Sequence, residues 1–523
     1  MRILVLCDGG GPIGVGHVIR SLALAEASVA AGHSVVVAGH FEGSFVRGQL
    51  ALAPVEVVEL AAPADAGRDP FPELIQRCEP DVLHVDSYEP QGWLMGSFVT
   101  SSMEDGPFGR RPADVVIDPT IGAELSPRPD DGSTLLLRGS RYTPIRRRVL
   151  DARRSGQADV AHDGTAHDQV ARSVLVVMGG TDPVGLAPVA VTLLAGTGLA
   201  LDVTVIAVGE TAERVRAAAR GSALSVDILA PVDGIAALMA GQDLVISAAG
   251  TSVWELCCIG VPMALVWAVD NQREGYDRVV AAGAALGLGG PELRGNDLGG
   301  NDLGGDKAAV ALLRTALTDS RTRADLALAG RQVVDGLGAW RVVRTWEMAR
   351  RSVPVMADPG RLVARAATLE DARLLWEWRN DPATRESSRS SAEVPWDDHL
   401  AWLGDSLERT DRRLLLVQDE AGPVGTVRWD LARDRQGERE WEVSITVAPQ
   451  RRRQSLARPL LRAGEVALSA TTRSNATDVT AYLAAVHIDN DASVRLFETS
   501  AYIPDSPPDR RGFMSFRKAA PVA

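Results

Sequence analysis

A histidine directly behind a glycine-rich turn, at the head of an apolar-periodic helix, is placed for proton transfer. In Gly11-Pro-Ile-Gly-Val-Gly-His-Val-Ile-Arg-Ser-Leu-Ala-Leu-Ala25 the turn uses glycine for positive φ and close backbone approach, but it does not need His17. A helix N-terminus carries roughly half a positive charge, which attracts an anion and lowers the basicity of a nearby imidazole. A neutral His17 can there take a proton from water. The same residue serves equally as a turn histidine capping a helix, and a short glycine pattern does not separate the two. A second glycine turn, Gly179-Gly-Thr-Asp182, follows the apolar run Ser173–Met178. A third candidate is the basic run Arg451-Arg452-Arg453, directly after a strand ending at Ala448-Pro449. Such a run is either a solvated face or the rim of an anion site.

The elements that position these residues read as two α/β halves and a third segment of different texture. Arg2–Cys7, Ser34–Ala38, Val82–Val85 and Val115–Ile117 are short apolar runs alternating with helical stretches, the pattern of a parallel sheet. Asp151 to about Val170 is polar and reads as a linker. The pattern restarts with Ser173–Met178, Leu201–Val208, Asp243–Ser247 and Met263–Trp267. Two such halves imply two doubly wound domains facing a cleft, 1–150 and 171–352. The duplicated Asn-Asp-Leu-Gly-Gly tract up to Asp306 reads as a surface loop. A Pro-containing joint at Ser352–Gly360 leads to a mixed α/β domain, 361–523. There Arg361–Ala367 and Glu440–Val447 are strands, Leu369–Arg379 an amphipathic helix, and Arg413–Gln418 with Val424–Trp429 a hairpin.

At 523 residues, 46% hydrophobic and 24% charged, the chain has the composition of a globular protein of several domains. A net charge of −13 argues against nucleic acid or an anionic membrane as partner, while leaving room for a small anion in a local pocket. Four cysteines (Cys7, Cys78, Cys257, Cys258) make neither a disulfide framework nor a C-x-x-C metal pattern. The expectation is therefore a cytoplasmic protein without a metal. The opening Met1–Asp8 is too short for a signal segment and reads as a buried first strand.

Gly14-x-Gly16-His17-x-x-Arg20 followed by Leu22-Ala-Leu-Ala25 resembles the start of the nucleotide-sugar hydrolases of pseudaminic acid biosynthesis. These are relatives of MurG-type glycosyltransferases and of a spore-coat polysaccharide group. The resemblance recurs in order at Asp86-Ser87-Tyr88, Leu137–Arg146, Gly179-Gly180-Thr181-Asp182-Pro183, Ser247–Glu255 and Asp270-Asn271-Gln272. It implies a GT-B type pair of Rossmann-like domains binding a UDP-sugar. The amides of Gly250, Thr251 and Ser252 would take the diphosphate, and Glu255 the ribose hydroxyls, since a carboxylate accepts two hydroxyls but repels phosphate. Gly14, Gly16, Arg20, Gly180 and Gln272 would complete the substrate site. His17 would be the base for water attacking C1 with inversion, and Tyr88 and Asn271 would hold the substrate or polarise the water. The chain departs from the family in having Leu6-Cys7 where an arginine is usual, one glycine fewer at Ala248-Ala249-Gly250, and Asp118-Pro119 where a second acidic residue is common.

The segment 361–523 resembles the GNAT-type N-acetyltransferases. Val447 to Ala457 is similar to their strand, R/Q-x-x-G-x-G/A turn and helix, with Ser455 for the middle glycine and Ala457 for the last. The resemblance implies acetyl-CoA as cofactor, bound by Val447, Arg452, Arg453, Ser455, Ala457 and Asn490, the last within His487–Val494. Trp378-Arg379-Asn380 with His399 downstream is similar to the acetyltransferases of the same pathway. Phe497 stands where a tyrosine often protonates the leaving thiolate, and Tyr502 replaces it only if its loop folds back. The combined expectation is a bifunctional enzyme that acetylates an amino sugar and hydrolyses a UDP-linked diacetamido-trideoxy sugar. A glycosyltransferase with another acceptor, or a GNAT half reduced to a binding module, are the alternatives.

Overall fold

The structure is a computed structural model. It describes residues 1–10, 14–60, 71–87, 96–162, 170–179, 182, 184–232, 234–290, 293, 304–351, 362–386, 390–435, 438–474 and 479–520. The chain divides into two compact units, Met1–Val343 and Arg344–Ala523.

The first unit holds two parallel sheets. Strands β1 (Arg2–Cys7), β2 (Ser34–Gly39), β3 (Glu56–Glu59), β4 (Val82–Asp86), β5 (Val99–Met103), β6 (Val115–Asp118) and β7 (Leu135–Arg138) lie in the order β3-β2-β1-β4-β5-β6-β7. The apolar run of β1 is buried from Ile3 to Cys7 because helices cover both faces of such a sheet. Each fully buried Val, Leu or Ile contributes about 1.5–3 kcal/mol. Strands β8 (Ser173–Val177), β9 (Leu201–Ile206), β10 (Leu224–Leu229), β11 (Leu244–Ala248), β12 (Met263–Val266) and β13 (Leu286–Gly289) form the second sheet, in the order β10-β9-β8-β11-β12-β13. Its two faces carry separate cores, one around Val174, Val191 and Leu313, the other around Leu175, Leu256 and Met263. The strand order reverses between β1 and β4, and again between β8 and β11. Ligands of open α/β sheets bind outside the carboxyl ends of the strands at those points.

The second unit has a mixed sheet of β14 (Val363–Ala366), β15 (Arg412–Asp419), β16 (Gly422–Arg435), β17 (Glu438–Val447), β18 (Ala481–His487), β19 (Ile503–Ser506) and β20 (Phe513–Ala519), in the order β14-β15-β16-β17-β18-β20-β19. β17 and β18 run parallel and the other pairs antiparallel. The architecture is thus a pair of Rossmann-like parallel-sheet domains followed by a mixed α/β domain.

Two sequence expectations change. The stretch read as a linker from Asp151 is helical as far as His162, within a helix Arg147–His162. It packs through Val149 and Ala152 into the second core, so an apolar spacing of three residues outweighed the polar composition. The loop expected up to Asp306 gives way at Gly304 to the helix Gly304–Thr318. The joint at 352–360 lies outside the described residues, and the two compact units meet within the helix Gly338–Arg351.

That helix carries Arg351, whose guanidinium donates to the buried carboxylate of Glu498 at 2.7 Å. A fragment 344–523 should therefore melt above a fragment 358–523, which strands Glu498. Leaving a buried acceptor unpaired costs about 1–3 kcal/mol, and each kcal/mol is about 2–4 °C at this size. Equal melting temperatures by calorimetry would exclude this role for Arg351.

Candidate functional site

His17 is the second residue of the helix Gly16–Ala30, which follows the glycine loop after β1. The loop is tight: Gly10 donates its N–H to Gly14 O at 2.7 Å, and both glycines have positive φ, 100° and 82°. A β-carbon on Gly10 would stand 2.1 Å from Glu42 O, so no larger residue fits. His17 is 4% exposed. Its Nδ1 lies 2.6 Å from Oδ1 of Asp86, the last residue of β4, which is fully buried. β4 pairs with β1 so that Asp86 stands beside Cys7. The topological switch point thus brings the imidazole and the carboxylate together.

Arg20, one helical turn further on, donates from Nε and Nη2 to both oxygens of Asp86 (2.6 and 2.7 Å) and from Nη1 to Asp105 at 2.9 Å. Three of its five N–H groups are thereby held inside the protein. Burial works against ionising Asp86, yet Arg20 and His17 outweigh it and hold its carboxyl well below the usual range. Motif reading picked out Asp86 without giving it a role, and it missed Asp105 as part of this site. Their signal was positional: each stands at or just beyond the carboxyl end of a strand near the reversal point.

The second sheet brings its loop to the same place. A β-carbon on Gly16 would lie 3.3 Å from Thr251 Cγ2, so the head of the His17 helix meets the turn after β11. Thr251 and Ser252 open the helix Ser252–Ile259, whose first N–H groups lack intrahelical acceptors. Gly250 differs from expectation. Its N–H donates to Ala248 O at 2.8 Å in a tight turn, so it is not a phosphate donor in this conformation. Gln272 accepts from Ala268 N at 2.9 Å, and a β-carbon on Gly250 would stand 3.7 Å from its Nε2. Gly180, Thr181 and Tyr88 lie outside the described residues, as does the side chain of Asn271 in the helix Asp270–Ala281. Asp182 accepts from Leu186 N and Ala187 N, both at 2.8 Å, and so caps the helix Leu186–Gly196.

Glu255 accepts no hydrogen bond among the described residues. Burial pushes its carboxyl above the usual range, against the pull of Arg148 and Arg146 from the first half. Those arginines, which sequence reading did not single out for this site, are braced by Gln49 and Glu26 (2.7 Å each). If Glu255 binds ribose, Glu255→Ala should raise KM for a UDP-sugar about ten- to hundredfold and change kcat little, since charged hydrogen bonds contribute about 1.5–3 kcal/mol in ground and transition state alike. UDP affinity should also fall as pH drops through the raised titration range, because the protonated acid loses acceptor capacity. A fall in kcat alone would place Glu255 at the reacting carbon instead.

In the second unit β17 and β18 pair only from Glu440–Val443 to Ala481–Ala484. Beyond that, Ser444–Val447 stay with β16 and Ala485–His487 with β20. The strands part, and among the described residues the backbone groups of Val447 and its neighbours that face the fork have no strand partner. The turn after β17 leads to the helix Ala457–Ser474. Arg453 and Ser455 there have φ of 61° and 57°, the left-handed region that favours glycine. Both are exposed. Arg452 instead pairs with Asp381 at 2.7 Å and donates to Thr384 at 2.5 Å. Asn490 accepts from Ser493 N at 3.1 Å as the N-cap of the helix Asp491–Thr499.

Residues 361–501 match the family model for the acetyltransferase (GNAT) domain. The C-terminal unit carries a GNAT domain. The uncharacterized protein MJ1062 of Methanocaldococcus jannaschii is 20% identical over 448 residues, 82% of this chain and 83% of that protein. Neither compact unit is that long, so the alignment crosses both. Among solved structures, Acinetobacter baumannii MurG covers 66% of this chain and 99% of its own at 16% identity (TM-score 0.46). A Vibrio cholerae spermidine N-acetyltransferase in complex with CoA and spermine covers 31% of this chain and 96% of its own at 15% identity (TM-score 0.27).

In the GNAT domain, several side chains named from the sequence are engaged within the protein. Tyr502 is fully buried and donates to Glu465 Oε1 at 3.0 Å. Burial and Glu465 push its phenol well above the usual range. Trp378 is core, packed with Leu375 and Leu416. Asn380 clamps both backbone polar groups of Val394 (2.9 and 2.8 Å), Arg379 donates to Ser390 O at 3.0 Å, and buried His399 donates to Ala372 O at 3.1 Å. This group holds the loop before the helix Trp396–Glu408. Among the described residues, no helix is long and apolar enough to cross a membrane.

Proposed function

We propose that the chain is a bifunctional enzyme of nonulosonic (pseudaminic-type) acid sugar biosynthesis. Its first unit hydrolyses a UDP-linked diacetamido-trideoxy sugar, and its GNAT domain N-acetylates an amino sugar with acetyl-CoA. The observation that carries the first half is the pairing of His17 with buried Asp86 at a switch point facing Thr251. The UDP diphosphate sits at the N–H groups of Thr251 and Ser252, the ribose at Glu255, and C1 near His17. His17 takes a proton from water as the water oxygen bonds C1 with inversion and UDP leaves.

For the second half, the parted strands and the left-handed turn at a long helix's N-terminus fit acetyl-CoA. An extended amide-bearing arm pairs with the strand edge near Val447, and a pyrophosphate takes the amides from Ser455 to Ala457, with Arg453 beside it. When bound, the cofactor supplies an acetyl thioester. Arg452 and Asn490 shape the turn and the facing helix start.

Incubation with a UDP-linked 4-amino sugar and acetyl-CoA, followed by mass spectrometry, tests both halves. The expected sequence is the acetylated UDP-sugar, then free acetylated sugar and UDP. Consumption only when an acceptor alcohol is added would make the first unit a glycosyltransferase, and no acetylated species would remove the second activity.

A further inference from the structure

We propose that Asp86 is the positioning residue for His17, holding its proton on Nδ1 and so leaving Nε2 as the basic nitrogen, with Arg20 and Asp105 as the frame that fixes Asp86. This role rests on the hydrolase reading above. Two bare acceptors do not approach to 2.6 Å, so the contact between Nδ1 and Asp86 Oδ1 needs a proton between them. Arg20 Nη2 also comes within 3.2 Å of Nδ1 and is a donor in every state. It competes for the opposite tautomer. The carboxylate wins, because that same Nη2 already donates to Asp86 Oδ1 at 2.7 Å and the anion is the stronger acceptor.

Against burial, the cations around Asp86 outweigh the groups that oppose its anionic form. The His17 helix contributes Arg20, bonded to both oxygens, and Ser21 Oγ at 3.4 Å. β4 contributes His84, which burial pushes down to about 4, and β1 contributes Cys7, whose thiol burial and Asp86 push up. Both are uncharged at neutral pH. The segment after β5 adds the cation Arg111, whose charge acts on Asp86, and Asp105, which is bound to Arg20. Asp86 therefore stays ionised and acceptor-only. During hydrolysis the water oxygen bonds C1, the C1–O bond to UDP breaks with its electron pair leaving on the phosphate oxygen, and the water proton goes to Nε2. Asp86 faces the imidazolium that forms and keeps its own state.

Asp86→Asn separates positioning from bulk. An amide has one acceptor oxygen for two sites that both meet donors. Set toward Arg20 Nε and Ser21, it turns N–H to His17 Nδ1, forcing the proton onto Nε2, and also sets a donor against Arg20 Nη2. Set the other way, it turns N–H against the Arg20 fork. The expected result is a loss of roughly 10²–10⁴ in kcat with KM and UDP affinity little changed. ¹⁵N NMR of the ring should show the Nδ1–H tautomer in the parent chain at neutral pH and Nε2–H in the variant. The parent measurement needs no variant to fold and no turnover. An Nε2–H ring in the parent, or a variant as fast as the parent, overturns the assignment. A parent that shows Nδ1–H but cleaves no UDP-sugar in water overturns the hydrolase reading instead.

Discussion

His17→Ala should leave UDP binding nearly intact and remove about 10²–10⁴ of the hydrolysis rate. The separation follows from where the two jobs lie. On the proposed reading, nucleotide contacts come from the turn after β11 and from Glu255, whereas His17 belongs to the helix that follows the glycine loop after β1. The imidazole is 4% exposed and tied to Asp86, so truncation removes a base already held in one orientation. It also leaves a buried, Arg20-bound carboxylate without one neighbour, so some loss of melting temperature is expected beside the kinetic effect. The check is calorimetric titration with UDP alongside steady-state turnover of the UDP-sugar. Turnover equal to the parent would remove His17 from the reaction, while loss of UDP binding would show that the two sheets do not divide the work as described.

Ser455→Trp should weaken acetyl-CoA binding by at least about tenfold, a loss of about 1.4 kcal/mol. Ser455→Gly should keep or tighten it. Ser455 stands in the turn at the head of a long helix with φ of 57°, where any side chain other than glycine's is strained by about 1–2 kcal/mol. Glycine relieves that strain and allows closer approach of the pyrophosphate. Trp keeps the strain and puts bulk where the backbone N–H groups would meet phosphate oxygens. Titration with acetyl-CoA reads both variants, and unchanged affinity in Ser455→Trp would move the cofactor away from this turn.

Much of the architecture is local information. Buried parallel strands announce themselves as apolar runs, and Arg2–Cys7, Val82–Val85, Ser173–Met178 and Asp243–Ser247 lie at or within a residue or two of observed strands because β-branched residues between turn signals leave few alternatives. The helix that follows each glycine-rich stretch and the hairpin of β15 and β16 are legible for the same reason. Composition misled where packing overrode it. The polar stretch after Asp151 is helical because Val149 and Ala152 find a core that no local pattern reveals.

His17, Glu255 and Ser455 were legible as candidates from their residue types and their places after strands, since glycine turns at helix starts are a chain-local signal. What each side chain touches was not. Arg20 reads as a ligand from its spacing behind His17, yet the fold brings Asp86 and Asp105 from distant strands to take three of its five N–H groups. Arg452 is claimed by Asp381, Asn490 by the helix it caps, Gly250 N–H by Ala248, and Tyr502 by Glu465. A buried or half-buried polar group must find a partner, and that partner comes from wherever the chain happens to pass. The sequence by itself determined which elements form and which residues stand at their ends. Tertiary structure alone decided which of those residues are spent on the protein, because hydrogen-bond partners are set by proximity in space, across 69 positions of chain between His17 and Asp86 and 147 between Arg351 and Glu498.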